Sequence, residues 1–391
     1  MTLSQTEQNE AIALLQRLVQ APSLSGNEKR AAEVAAAQMR AMDFDRVWFD
    51  DYGSVIGMRR GGLPGPTLVF EGHMDEVDPG DVNDWSDNPF SGALKDGKIH
   101  GRGASDTKGS LAGMIIAVGG LPRSQMRGTL YVVGTVCEEF MEGTSLRKVL
   151  EVIKADGVVV GEPTDCRLAI GQKGRARLLF TAHGRPAHSS TPKNGENAVL
   201  KAGEILRRVE AMPLPENQWL GRAEMVPLQV TSKPEPPVTS IVPYQCQIYY
   251  DRRLVADETE AGMLAEYRAA LADLPGWDVA LDTISHDFYT GRTITEPDFR
   301  PSWMMDEHSP WVETAVAALK QAGIEPGVHT VPYCADGSGS AGVLGLPTLL
   351  FGPSSILLAH ITNEYILVDE YLRSIEGYRA LALALPGAFQ Q

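Results

Sequence analysis

The sequence predicts an α/β protein, an α/β/α core on a mixed sheet interrupted by an inserted ferredoxin-like βαββαβ domain. Three observations predict it. β-branched runs alternate with helical stretches at both ends of the chain, the pattern of a largely parallel sheet covered by helices. The middle segment reads strand, helix, strand, strand, helix, strand, the order of a split βαβ unit. The 391 residues exceed the ~150 of one ordinary domain.

Each element has its own signal. Ile12, Leu15 and Val19 share a face of an opening helix, and after a turn at 22–26 an Ala-rich helix is expected over 28–42. RVWFD (46–50), SVIGMR (54–59) and TLVFEG (67–72) read as strands, followed by a long loop over 78–103. A helix at 109–118, strand TLYVVGTVC (129–137), helix TSLRKVLEV (144–152) and strand GVVVG (157–161) continue the alternation. The insert then runs through RARLLFTAHG, a helix at 197–212, EMVPLQVTS, CQIYYDRRL, a helix at 259–274 and WDVALDTIS. Beyond a Pro-rich and aromatic connector near 286–306, a helix at 310–322, strands near VHTVP and TLLFG, and a last helix at 368–385 close the first sheet. The expected division is therefore 1–174 and 291–391 for the core and 175–290 for the insert.

Composition narrows the partners. Fifty acidic against 35 basic residues give a net charge of -15, which repels nucleic acid and anionic lipid. Apolar residues at 43% and charged residues at 22% describe a soluble globular chain. Four cysteines without a CxxC pair indicate neither a disulfide framework nor a thiolate zinc site. No signal peptide opens the chain and no stretch reaches 18 apolar residues, so no membrane association and a cytoplasmic location are expected.

The chemistry gathers at strand ends. TLVFEG runs into His73-Met74-Asp75, and residues two apart on a strand project to the same side. A carboxylate beside a metal-ligating histidine fixes its tautomer, although an isolated H-x-D is more often a plain surface or core pair. GRGASDTKG puts Asp106 in a Gly-rich loop opening a helix, where an N-cap aspartate is the simplest explanation. TVCEEFMEG places Glu138 and Glu139 at a strand end, facing opposite ways and repelling each other unless a cation is near. VGEPT repeats the device with Glu162, and LLAHITNEY supplies His360, which alone would be a core histidine. Ligands of open α/β sheets bind beyond strand C-termini, so this ordered set has a reason to converge. Oxygen and imidazole donors without thiolate suit zinc, cobalt or manganese, and one bridging carboxylate lets five ligands hold two ions.

The set, read with the inserted domain, resembles the dinuclear metallopeptidase family of acetylornithine deacetylase, succinyl-diaminopimelate desuccinylase, aminoacylase and glutamate carboxypeptidase. The resemblance spans nearly the whole chain and is most specific in EGHMDEV, GRGASDTKG, TVCEEF, VGEPT and LLAHITNE. It implies a metallohydrolase core with a lid and dimerisation domain, hence a homodimer. It implies that His73, Asp106 and Glu162 bind one divalent ion and Asp106, Glu139 and His360 the other, with zinc first and cobalt or manganese as alternatives. Asp75 would orient His73, Glu138 would be the general base, and the Asp106-Thr107 peptide would be cis. His188 in GRPAHSSTP matches the histidine that reaches across the dimer to the oxyanion. Arg253 of DRRL and Lys173 of GQKG are candidate anchors for a substrate carboxylate. Arg252 and Arg253 alternate on a strand, so only one can face the cleft.

The implied reaction is hydrolysis of an amide bond in a small, carboxylate-bearing N-acyl amino acid or dipeptide-like molecule. Glu138 would take a proton from a metal-activated water and pass it to the leaving nitrogen. Aminopeptidase or dipeptidase activity, hydrolytic deamination of a non-amide substrate, and a nonenzymatic metal-dependent binding role are the alternatives. No G-x-S-x-G elbow or P-loop offers a different mechanism. Many deacylases carry a Gly-Thr-Asp segment where this chain has CADGSGSAG (334–342), and this segment with FGPSSILLAH is closer to a hydrolase subgroup related to peptidases and deacetylases. The acyl group and leaving amine therefore stay open.

Overall fold

The computed structural model describes residues 2–389 except 236, 238, 239, 256 and 257. It forms two compact units. One comprises Met1–Gln172, Ser285–Ile294 and Met304–Gln391, the other Lys173–Ile284 and Thr295–Trp303.

In the first unit the strands β1 Arg46–Phe49, β2 Val55–Arg60, β3 Leu63–His73, β4 Ala93–Lys95, β5 Lys98–His100, β6 Arg127–Thr135, β7 Gly157–Val160 and β8 Ala169–Gln172 are joined by helices α1 Gln5–Val19, α2 Lys29–Ala41, α3 Gly109–Gly120 and α4 Thr144–Val152. The main sheet runs β1-β2-β6-β3-β7, then Thr348–Leu350, then β8. β3 pairs in parallel with both β6 and β7, whereas β2 runs antiparallel to its neighbours and β8 runs antiparallel to Thr348–Leu350, so the sheet is mixed as expected. Leu68, Val69, Phe70, Val132, Val133 and Val158 to Val160 are wholly buried. Strands covered on both faces read as continuous apolar runs. α3 is buried along almost its whole length, which its uniformly apolar sequence permits.

Two departures from the sequence reading matter for the site. The stretch expected as a plain loop contains β4 and β5, and β5 pairs with Tyr365–Leu367. Three-residue strands are too short to leave a period-two signal. β6 ends at Thr135, and Cys137 then takes φ of 57°. That left-handed residue turns the chain, so Glu138 and Glu139 sit on a turn and lose the opposed facing expected of strand neighbours.

In the second unit four antiparallel strands lie in the order Glu224–Lys233, Gln245–Leu254, β9 Gly174–His183, Trp277–Leu281, the ferredoxin-like arrangement. Alternate residues Cys246, Ile248, Tyr250, Arg252 and Leu254 are buried with α5 Ala198–Glu210 and α6 Glu260–Ala270. Arg252 donates there to Glu258 and the Tyr267 hydroxyl, which leaves Arg253 on the other face. Among the described residues no helix is long and apolar enough to cross a membrane.

Candidate metal centre

Because β3, β6 and β7 run parallel, their C-terminal ends open on one edge of the sheet. His73 is the last residue of β3, Glu138 and Glu139 follow β6, and Glu162 follows β7. The wide turn Ala104–Lys108 before α3 brings Asp106 to the same place, and the Asp106-Thr107 peptide is cis.

Asp106 stands between two imidazoles. Its Oδ1 lies 3.2 Å from His73 Nε2 and its Oδ2 3.3 Å from His360 Nε2. His360 Nε2 also lies 3.0 Å from Glu139 Oε1, and His73 Nε2 lies 3.8 Å from Glu138 Oε2. His73, Asp106 and Glu139 each offer a ligand atom, all within 4.8 Å of one another. His360 adopts φ of 61°, a backbone cost of the kind that persists where surrounding structure enforces it.

The electrostatics describe a site short of positive charge. Burial pushes the Glu138 and Glu162 carboxyls well above the usual range, and the neighbouring carboxylates add to the shift while His73 opposes it. Glu139 is raised to about 7 by burial, against the hydrogen bond from His360. His360 is raised to about 10 by its bonds to Asp106 and Glu139. His73 is raised too, because Asp106, Glu138 and Asp75 outweigh its burial. Burial opposes ionisation of Asp106, yet both histidines hold its carboxyl far below the usual range. Buried carboxylates facing one another with imidazoles between them are the donor set of a divalent-cation site, so these residues fit such ions.

Asp75 acts through two groups. Its carbonyl is 2.9 Å from His73 Nδ1, whereas its carboxylate oxygen is 3.6 Å away. The carboxylate instead accepts the N–H groups of Glu138 and Glu139, each at 3.0 Å, and the Ser25 hydroxyl at 2.7 Å. It therefore holds the glutamate turn.

Lys173, His188 and Arg253 belong to the second unit. His188 is exposed, and its Nδ1 accepts the Ser190 N–H at 3.1 Å, which places the proton of the neutral ring on Nε2. Lys173 is buried and donates to the Arg222 carbonyl at 2.7 Å. Arg253 lies 3.3 Å from Asp251 and lines an open hollow of about 710 Å³ with Arg222, Glu224 and Met225.

Two acidic residues near the centre carried no individual signal in the sequence. Asp336, inside CADGSGSAG, accepts from the Thr135 hydroxyl at 2.9 Å and the Gly143 N–H at 2.6 Å. Glu364 pairs with Arg102 at 2.6 Å and accepts the Ser105 N–H at 2.8 Å. Both lie behind the ligands, and their partners are far off in the chain.

The core, the lid domain and this histidine–carboxylate cluster are those of a metal-dependent hydrolase. Residues 69–384 match the model of peptidase family M20/M25/M40, and the chain belongs to that family. It is 31% identical over 389 residues to Uncharacterized protein YgeY of Escherichia coli, covering 96% of this chain and 94% of that one. It is 30% identical over 302 residues to succinyl-diaminopimelate desuccinylase of Rhodospirillum centenum, covering 72% and 77%. The fold is shared with the YXEP protein of Bacillus subtilis, a dinuclear metal binding peptidase from the M20 family, with a TM-score of 0.70 at 15% identity over 98% of this chain and 99% of that one.

Proposed function

We propose that this enzyme hydrolyses the amide bond of a small, carboxylate-bearing N-acyl amino acid or dipeptide-like substrate. The observation that carries the reading is Asp106, whose two oxygens each contact a different histidine, beside a Glu138 held ready by Asp75. His73, Asp106 and Glu162 would hold one divalent ion and Asp106, Glu139 and His360 a second, with zinc, cobalt or manganese suiting the donors. Such ions, when bound, polarise a carbonyl oxygen and acidify water. Glu138 takes the proton of the attacking water and delivers it to the leaving nitrogen. His188, with its proton on Nε2, donates to the developing oxyanion, a role worth about 2.7–4 kcal/mol for one donor. Arg253 anchors the substrate carboxylate, and Lys173 supports it less directly because its ammonium is engaged by Arg222.

The functional division assigns catalysis to 1–174 and 291–391 and the lid and dimer contacts to 175–290. An exposed apolar stripe, Val226, Leu228 and Val230 on the outermost lid strand, supports a homodimer. None of the four cysteines forms a disulfide and all are buried, which suits a reducing cytoplasm.

The test is a panel of N-acetyl, N-succinyl and N-carbamoyl amino acids and dipeptides, assayed for free amine with zinc, cobalt or manganese. Metal-dependent turnover of one acyl class is the expected result. Two bound ions with no turnover of any panel member would move the reading to another electrophile or to a binding role.

A further inference from the structure

What aims Asp106 is itself a buried carboxylate. The Glu364 side chain is wholly enclosed and accepts the Ser105 N–H at 2.8 Å, the Asp106 N–H at 3.3 Å and Arg102 Nη1 at 2.6 Å. Its own carbonyl accepts the Gly101 N–H at 2.9 Å, and the next carbonyl, of Tyr365, accepts the Ser105 hydroxyl at 2.8 Å. The loop ending in Asp106 is thus fastened to the segment that begins with His360, although the two lie some 250 residues apart in the chain. Two amides fixed on one carboxylate set the plane of the peptide before Asp106, and so the direction in which its side chain leaves the backbone. Enclosing Glu364 and Arg102 together, at 0% and 3% side-chain exposure, is costly unless the pairing is kept, so the frame resists distortion.

We propose that Glu364, held by Arg102, is a positioning residue that locks Asp106 and His360 into one frame and thereby sets occupancy of the ion these two share with Glu139. The inference rests on the two-ion reading above. Groups that orient metal ligands typically contribute 10–100-fold in affinity.

The test is titration of the metal-free chain with cobalt, read by visible absorption and by competition with a chelator. Glu364→Gln keeps the size of the side chain but removes the charge that holds Arg102, and Arg102→Gln removes the other half of the pair. Both are expected to bind the second cobalt ion about 10–100-fold more weakly than the parent and to change its absorption bands. Ser4→Ala, which removes the N-cap of α1, controls for general destabilisation and should leave cobalt affinity unchanged. Should Glu364→Gln fail to fold, Arg102→Gln carries the same reading. Two cobalt ions bound with parental affinity and spectrum in these variants would overturn the inference alone. A parent chain that takes up no second ion would remove it together with the two-ion reading.

Discussion

Glu28 shows how closely one residue behind the glutamate turn is balanced. It is wholly buried, and Oε1 accepts the Gly26 and Cys137 N–H groups at 2.8 and 3.1 Å. Burial, with the charge of Asp75 second, raises its carboxyl from 4.5 to about 7. Between pH 4.5 and about 7 the folded chain therefore keeps a proton that the unfolded chain has released. Stability falls as pH rises through that window, and the loss is complete above it. Glu28→Gln cannot ionise, so its thermal midpoint should depend less on pH over 4.5 to 7 and exceed the parent's at pH 8. Each ~1 kcal/mol relieved raises the midpoint by about 1–2 °C in a chain of this size. Parallel melting curves for parent and variant across that range would contradict the assignment. Single residues of this kind were only partly legible in the sequence. His73, Asp106, Glu139 and His360, which the structure brings into contact, announce themselves by following strands or Gly-rich turns. Asp336 and Glu364 do not, because a buried acid is recognised by its partner, and Thr135 and Arg102 lie some 200 and 260 residues away.

At the scale of elements, the glutamate turn is positioned by a close approach of two glycines. Gly143, at φ of 78°, starts α4 and donates to Asp336. A Cβ on Gly339 would collide with the Gly143 carbonyl oxygen, so CADGSGSAG needs a glycine there to lie against the turn carrying Glu138 and Glu139. Gly339→Ala should destabilise the fold by about 1–3 kcal/mol in denaturant melts and lower turnover as the turn is displaced. Gly203→Ala, in the interior of α5 with open space around its Cβ position, is the comparison and should instead stabilise by about 0.5–1 kcal/mol. Equal stability of the two variants would show that the contact is dispensable. The same region marks the limit of strand prediction. The apolar run TLYVVGTVC gives no sign that pairing stops at Thr135, since the turn is imposed by backbone conformation at Cys137 and by the bonds that Asp75 makes to the next two amides. Long alternating or apolar strands such as β3 and Gln245–Leu254 were readable because their period follows burial directly.

For the whole molecule, the βαββαβ order sufficed to predict the ferredoxin-like sheet, whereas the strand pairs that depend on distant chain, such as β5 with Tyr365–Leu367, were invisible. The lid sheet leaves the strand Glu224–Lys233 outermost, with Val226, Leu228 and Val230 each more than half exposed. An apolar edge of this kind is a template for pairing with a second chain. Sedimentation velocity should show a dimer, and Leu228→Asp with Val230→Asp should shift it to monomer. A monomeric parent, or a dimer indifferent to both changes, would place the association elsewhere.

The central claim is that Glu138 moves the proton while other residues hold the ions, and one comparison tests it most directly. Parent and Glu138→Gln are loaded with zinc, their metal content is measured, and turnover of the substrate class found in the panel is followed. The account predicts two ions per chain in both proteins and a fall in kcat of about 10²–10⁴-fold in the variant. Retained turnover, or loss of the ions with the carboxylate, would contradict it.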